Sequence, residues 1–139
     1  MPPKPLTTAP ESTCPCGSQK PLQNCCLPFI KGITNPPTAE QLMRSRYTAH
    51  VLLAIDYLWD TWSAEQRLRS SQADIRAWAE SCEWLGLQIL RTKQGGTADN
   101  TGIVEFIALF RQLGQVHQHH EVSRFNKVFG KWLYVDHQG

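Results

Sequence analysis

At 139 residues, with 41% apolar residues and a net charge of +2, the chain has material for one ordinary domain with a modest core, not for two. That apolar content and five tryptophans exclude disorder for the chain as a whole. No apolar run approaches the ~18 residues of a membrane span, and the residues after Met1 lack the apolar stretch of a secretory signal; a cytoplasmic protein without membrane attachment is expected.

All nine prolines lie between Pro2 and Pro37, and all five tryptophans lie from Trp59 onward. This shift divides the chain into a tail (1–11) expected to be flexible, a proline-rich head (12–36), and a domain (37–139). Proline blocks regular structure in the head, so the head needs something other than a core to order it. Its charge is +2, while the basic and acidic side chains of 38–139 cancel. Nucleic-acid binding needs a concentrated basic face, and none is visible, so no nucleic-acid partner is expected.

The head holds four of the five cysteines in the spacing C-x-C-x₈-C-C: Cys14, Cys16, Cys25 and Cys26. In a reducing compartment, clustered cysteines are metal ligands more often than disulfides. Zinc takes four such sulfurs in a tetrahedron; Gly17 allows a tight turn after the first pair, and the Gly17-Ser18 backbone can support the sulfurs with N–H groups. The competing readings are reduced thiols without metal, or two disulfides. A segment without a core gains most from a metal, so one structural Zn²⁺ on these four cysteines is expected. Four protein ligands leave no open position for water, which argues against zinc-activated hydrolysis.

After Pro37, Thr38-Ala-Glu-Gln41 has the form of a capping box. Met43, Tyr47, Val51 and Ile55 follow at helical spacing. Asp56 is expected to cap a second short helix with Leu58, Trp59 and Trp62, and residues 64–70 to form a loop. Ser71 caps a helix carrying Ile75, Trp78, Ala79 and Cys82 on one face, with Cys82 a core thiol. From Trp84 the composition changes to strand-formers. Residues 84–92, 103–112, 116–125 and 131–136 are separated by glycines and by the 126–130 turn signal. Short connections require antiparallel neighbours, so the expected fold is α+β, helices packed on one face of a four-stranded antiparallel sheet.

Cys14-Pro-Cys16-Gly-Ser-Gln-Lys20 followed by Cys25-Cys26 resembles the SEC-C motif, the zinc tail of the preprotein translocase ATPase. Leu42-Met-Arg-Ser-Arg-Tyr47, Trp84-Leu-Gly-Leu87, Val104-Glu-Phe106, His120-Glu-Val-Ser-Arg-Phe125 and Trp132-Leu-Tyr-Val-Asp136 are similar to the YchJ family, in which such a motif precedes a nuclear transport factor 2-like domain. One departure is Gln19, where the motif usually has glycine; another is the absence of a second, C-terminal copy of the motif. The resemblance implies a curved, cystatin-like sheet closed by helices into a cone, often with a pocket. It also implies a motif that binds protein partners of the export, chaperone or ribosome machinery, and a fold that admits homodimers through its exposed sheet face.

Strand alternation places His117, His119, Glu121, Ser123 and Phe125 on one face and His120 and Arg124 on the other, with Glu105 on the adjacent strand. An inward Glu121 needs a partner, and Arg46 of the first helix, beside Tyr47, is the candidate. Tyr47, Glu105, His119, His120, Glu121 and Ser123 are thus the candidate pocket residues. A histidine with Glu121 could act as a general acid–base pair, but no nucleophile, phosphate loop or open metal site accompanies it, and a structural ion-pair cluster is the favoured reading. Asp136 and His137 read as solvated. The function expected is a non-enzymatic, zinc-stapled interaction module; the alternative is a small-molecule binder or enzyme using the cone.

Overall fold

The computed structural model describes residues 9–138; most of the expected tail lies outside them. Two backbone bonds tie the start of the described chain to the head, Ser12 N–H to the Ala9 carbonyl and Gln23 N–H to that of Pro10. A 3₁₀ turn (Leu22–Asn24) and a one-turn helix α1 (Leu27–Ile30) follow.

Helix α2 (Ala39–Leu52) starts where the capping box places it: Thr38 Oγ1 accepts from Gln41 N–H and donates to the Gln41 side chain. It ends on Leu53 in the left-handed region. Helix α3 (Ile55–Asp60) is preceded by Ala54, not capped by Asp56; Asp56 lies in its first turn, where its charge complements the helix dipole. Residues 64–70 are not all loop. Ser63 caps a single turn, α4 (Ala64–Arg67), too short to show a periodicity. Helix α5 (Gln72–Ser81) carries the expected Ser71 cap. Cys82 follows the helix in an extended conformation, half-buried beside Ser81 and Gln112. It is not a core thiol, because the chain has already turned into the first strand.

The strands β1 (Glu83–Gln94), β2 (Thr101–Gln112), β3 (Gln115–Val128) and β4 (Lys131–Gln138) form one antiparallel meander in chain order. They extend beyond the runs of strand-forming residues; Asn126 pairs within the sheet and the last turn is confined to Phe129-Gly130. Irregularities at Trp84/Gly86, Ile89/Arg91 and Arg124/Phe125 increase the twist and bend the sheet.

Helix α2 lies across the concave face. Leu42, Met43 and Tyr47 pack with Val104, Phe106, Ala108, Phe125, Trp132 and Tyr134, and the Trp132 indole N–H donates to the Pro37 carbonyl. A smaller cluster, Ala49, Ile55, Leu58, Ile75 and Ala79, holds α3 and α5 to α2. The entrance to α2 is fixed by Ala39 N–H donating to the Gly95 carbonyl at 2.9 Å. A Cβ on Gly102 would sit 2.6 Å from the Gly95 Cα, against backbone that cannot yield cheaply. Gly102→Ala is therefore expected to destabilise the fold by about 1–3 kcal/mol, read as a lower midpoint in urea denaturation.

Candidate functional site

The head is a cysteine knuckle seated on the domain. Cys14, Cys16 and Cys26 are buried and Cys25 partly so, and the four sulfurs lie within 4.8 Å of one another. Cys16 and Cys25 are 3.6 Å apart, Cys25 and Cys26 3.9 Å. A tetrahedron with ~2.3 Å zinc–sulfur arms has edges of about 3.8 Å, so the donor set fits a tetrahedral soft metal. No pair approaches the ~2.05 Å of a disulfide.

Proton chemistry agrees with that fit. Hydrogen bonds from the Cys14 and Cys26 thiols hold the Cys16 thiol far below its ordinary pKa. Those same contacts push Cys26 up, and burial raises Cys25 to about 11. Cys16 ionises readily without a metal; a divalent cation is what would hold Cys25 and Cys26 deprotonated.

The knuckle's surroundings are fixed by the domain. Thr48 Oγ1 of α2 meets Cys14 Sγ at 3.5 Å, Ser18 Oγ meets Cys25 Sγ at 3.1 Å, and Arg44 donates to the Cys16 carbonyl at 2.7 Å while pairing with Glu40. Leu22 and the cysteines pack against Leu27, Ile30, Leu52 and Leu87. Gly17 adopts φ +85°, and a Cβ there would meet the Leu87 carbonyl at 3.1 Å. Gln19 has φ 70°, the conformation that suits the glycine usual at this place in the motif; holding a side chain there costs about 1 kcal/mol. Beside the sulfurs runs an open groove of about 290 Å³ lined by Ser18, Lys20, Asn24, Phe29, Gln41 and Arg44, among others.

The second cluster lies on the concave face. Glu121 and Ser123 are buried there with Phe125. One Glu121 oxygen accepts from His119 Nε2 at 2.7 Å; the other accepts from Ser123 Oγ and, at 3.1 Å, from Tyr134 Oη. Arg46 does not ion-pair with Glu121. Its Nη1 donates to the Leu58 carbonyl (2.9 Å) and Thr61 Oγ1 (2.5 Å), and its guanidinium lies over the Tyr134 and Trp62 rings. Those groups of α3 and the following turn intercept it, and Tyr134 stands on the carboxylate in its place.

Tyr47 is buried among the rings, edge-on to Trp84. Glu105 and His120 are on the convex face: Glu105 bonds Arg91 (3.0 Å) and His120 (2.7 Å), because adjacent strands pair Glu105 with Val122 and Ile107 with His120. They are separated from the Glu121 cluster by the sheet. Asp136 pairs with Arg124 on that face, whereas His137 Nδ1 meets Tyr134 Oη at 2.8 Å, a placement the bulge at Arg124/Phe125 makes and strand alternation alone does not give. Tyr134, His137 and His50 were not among the sequence candidates. His50 was reachable from the sequence, at one helical turn from Arg46; its Nδ1 bonds the Arg46 carbonyl at 2.8 Å, and burial pulls its pKa down to about 4.

Burial pushes the Glu121 carboxyl up, but the hydrogen bonds from His119 and Ser123 together outweigh it and leave its pKa below 4.5. The bond to Glu121 raises His119 above 6.5, against some desolvation. A raised histidine stabilises fully below its unfolded pKa and loses that contribution as pH rises through the folded value; a depressed carboxyl does the reverse on acidification. The pair therefore contributes most between about pH 4.5 and 6.5. Because His119 is half-exposed, its share is about 0.5–1 kcal/mol. His119→Gln should cost that much in urea unfolding at pH 5.5 and markedly less at pH 8.5.

Residues 38–137 match the family model described as the middle NTF2-like domain of YchJ. A UPF0225 protein of Geobacter sulfurreducens is 45% identical over 126 residues, covering 91% of this chain and 78% of that one. One of Bordetella parapertussis is 41% identical over 130 residues, covering 90% and 91%. Among solved structures, a SEC-C motif-containing protein from Rhodopseudomonas palustris superposes with a TM-score of 0.84 at 37% identity, over 91% of this chain and 98% of that one. Another from Psychrobacter arcticus gives 0.74 at 31%, over 89% and 80%. With its SEC-C-type cysteine knuckle set against a helix-covered antiparallel sheet, the chain belongs to the YchJ family of UPF0225 proteins.

Proposed function

We propose that the knuckle holds one structural Zn²⁺ on Cys14, Cys16, Cys25 and Cys26, and that the protein is a non-enzymatic interaction module. The observation that carries this reading is the closed set of four mutually close sulfurs beside an open groove. Four thiolates satisfy the ion completely, so the metal orders the loop and does not react. The groove joins the apolar Phe29 to Lys20 and to Arg44, which is paired with Glu40 in the same lining; this suits a peptide with an apolar anchor and an acidic group beside Lys20. SEC-C resemblance supports partners in protein export, chaperoning or translation, in the cytoplasm. In this reading the His119–Glu121 pair is part of the structure and carries no chemistry, since its hydrogen bonds hold side chains of β3 and β4 in place.

Elemental analysis of the purified chain should find about one zinc per molecule, and a strong chelator should lower the thermal midpoint, because metal binding is coupled to folding of the head. A preparation that folds fully and contains no zinc refutes the assignment. Partner binding is tested with ribosomes by cosedimentation and with a purified export chaperone by calorimetry. Cys14→Ser and Lys20→Glu should each weaken the interaction at least tenfold, while Glu121→Ala leaves it intact; the opposite pattern would move the interaction to the concave face.

A further inference from the structure

The core does not fill the concave face. On the side of α2 away from the knuckle a cavity of about 250 Å³ remains, with Tyr47, Trp62, Trp78, Trp84 and Phe110 in its walls and Arg46 among its lining residues. The rings touch one another: Trp78 lies 6.1 Å from Trp84 and 5.3 Å from Phe110, and Trp84 lies 5.6 Å from Phe110. Trp78 is 41% exposed, a large ring left at the rim. Such a box of rings with a few polar groups is the ordinary make-up of a small-molecule site.

Arg46 and Glu121 both line the cavity, and of these two charges Arg46 is the one with hydrogen-bonding capacity left over. It is 5% exposed, and the ion pairs among the described residues do not include it. Among the described residues only Nη1 has protein acceptors, Leu58 O and Thr61 Oγ1. Yet no side-chain nitrogen sealed from solvent lacks a hydrogen-bond partner among the described residues. Nε and Nη2, which have no acceptor among the described residues, are therefore not sealed from solvent, and Arg46 lines this cavity. The Tyr134 and Trp62 rings, 5.1 and 5.8 Å from Cζ, hold the guanidinium in place. A nearly buried guanidinium without a carboxylate is costly; an anion that accepts from its free edge relieves that cost with two parallel hydrogen bonds.

Glu121 does not offer the converse site for a cation. Its oxygens already accept from His119, Ser123 and Tyr134, and the Arg46 charge lies just beyond the Tyr134 ring. Burial lowers Arg46 only to about 10, so it stays charged at neutral pH.

We propose that this cavity binds a small arylalkyl carboxylate, its carboxylate on the free edge of Arg46 and its ring among Trp78, Trp84 and Phe110. This site is separate from the knuckle and does not depend on the interaction reading. The test uses the full chain and three probes of one shape, phenylacetate, phenylacetamide and phenethylamine, with acetate as the ringless control. Indole N–H signals in ¹H–¹⁵N spectra report the location. Phenylacetate should shift the signals of Trp62, Trp78 and Trp84 saturably and leave those of Trp59 and Trp132 in place. It should bind at least tenfold more tightly than the amide, the amine or acetate. Arg46→Gln should remove that tenfold preference for acid over amide, and Trp78→Ala, at the exposed rim, should weaken both ring-bearing neutral and acidic probes. The proposal is overturned if the amine or amide matches the acid, if the shifts fall on Trp59 or Trp132, or if no probe saturates. Should Arg46→Gln fail to fold, the charge series on the unaltered chain decides alone.

Discussion

Helix α2 is buried on nearly every side, and that constraint organises the molecule. Ala39, Leu42, Met43, Ser45, Arg46, Tyr47, Thr48 and Ala49 are all buried, so no single apolar stripe describes the helix. One side closes the sheet through Leu42, Met43 and Tyr47. Another, through Ala49, holds α3 and α5. A third offers Thr48 and Arg44 to the cysteine knuckle, and the remainder, Arg46 and His50, borders the cavity. Polar groups in such a position must all be satisfied. Ser45 meets this by donating to the Leu42 carbonyl and bonding Tyr57 Oη at 2.7 Å; His50 meets it by staying neutral.

Legibility in the sequence followed how local the determining physics was. The Thr38 and Ser71 caps, the cysteine spacing and the strand-rich second half are local signals, and each has its counterpart in the structure. Alternation also put Glu121, Ser123 and Phe125 inside together. The partner of Glu121 was not legible, because it depends on where α3 ends and on the register of β4. Thr61 takes the Arg46 guanidinium only because α3 stops there; Tyr134 reaches Glu121 because the β3–β4 hairpin pairs it with the inward Phe125, and His137 joins them only because a bulge beyond Tyr134 shifts the end of β4 by one residue. The convex position of Glu105 follows from β2 alternation, since Val104 and Phe106 on either side of it are buried; adjacency to a core phenylalanine in sequence places a side chain on the opposite face, not the same one.

The knuckle is joined to the domain by packing as well as by sequence. Its sulfurs share a buried cluster with Leu22, against Leu52 from the end of α2 and Leu87 from β1, and Gly17 lies too close to the Leu87 carbonyl to admit a side chain at ease. A metal that ordered the head would therefore also cover apolar surface at the junction of helix and sheet. The head in turn needs the domain, because it has little core of its own to offset the entropy of ordering. This mutual cover explains how a proline-rich segment of some twenty-five residues, without a strand or a long helix, holds one geometry.

The two faces of α2 then carry different chemistry for a physical reason. Toward the knuckle, Thr48 and Arg44 address sulfur and a carbonyl beside four sulfurs that would complete the shell of a tetrahedral metal. Toward the cavity, Arg46 has used one nitrogen on protein acceptors and keeps an edge of its guanidinium without one among the described residues. Hydrogen bonds to charged groups are worth more than neutral ones, and a fold that could have enclosed this cation with a carboxylate within reach gives the carboxylate to His119, Ser123 and Tyr134. The charge that stays unpaired, among rings that leave room beside it, is what separates a gap in the packing from a place suited to an anion.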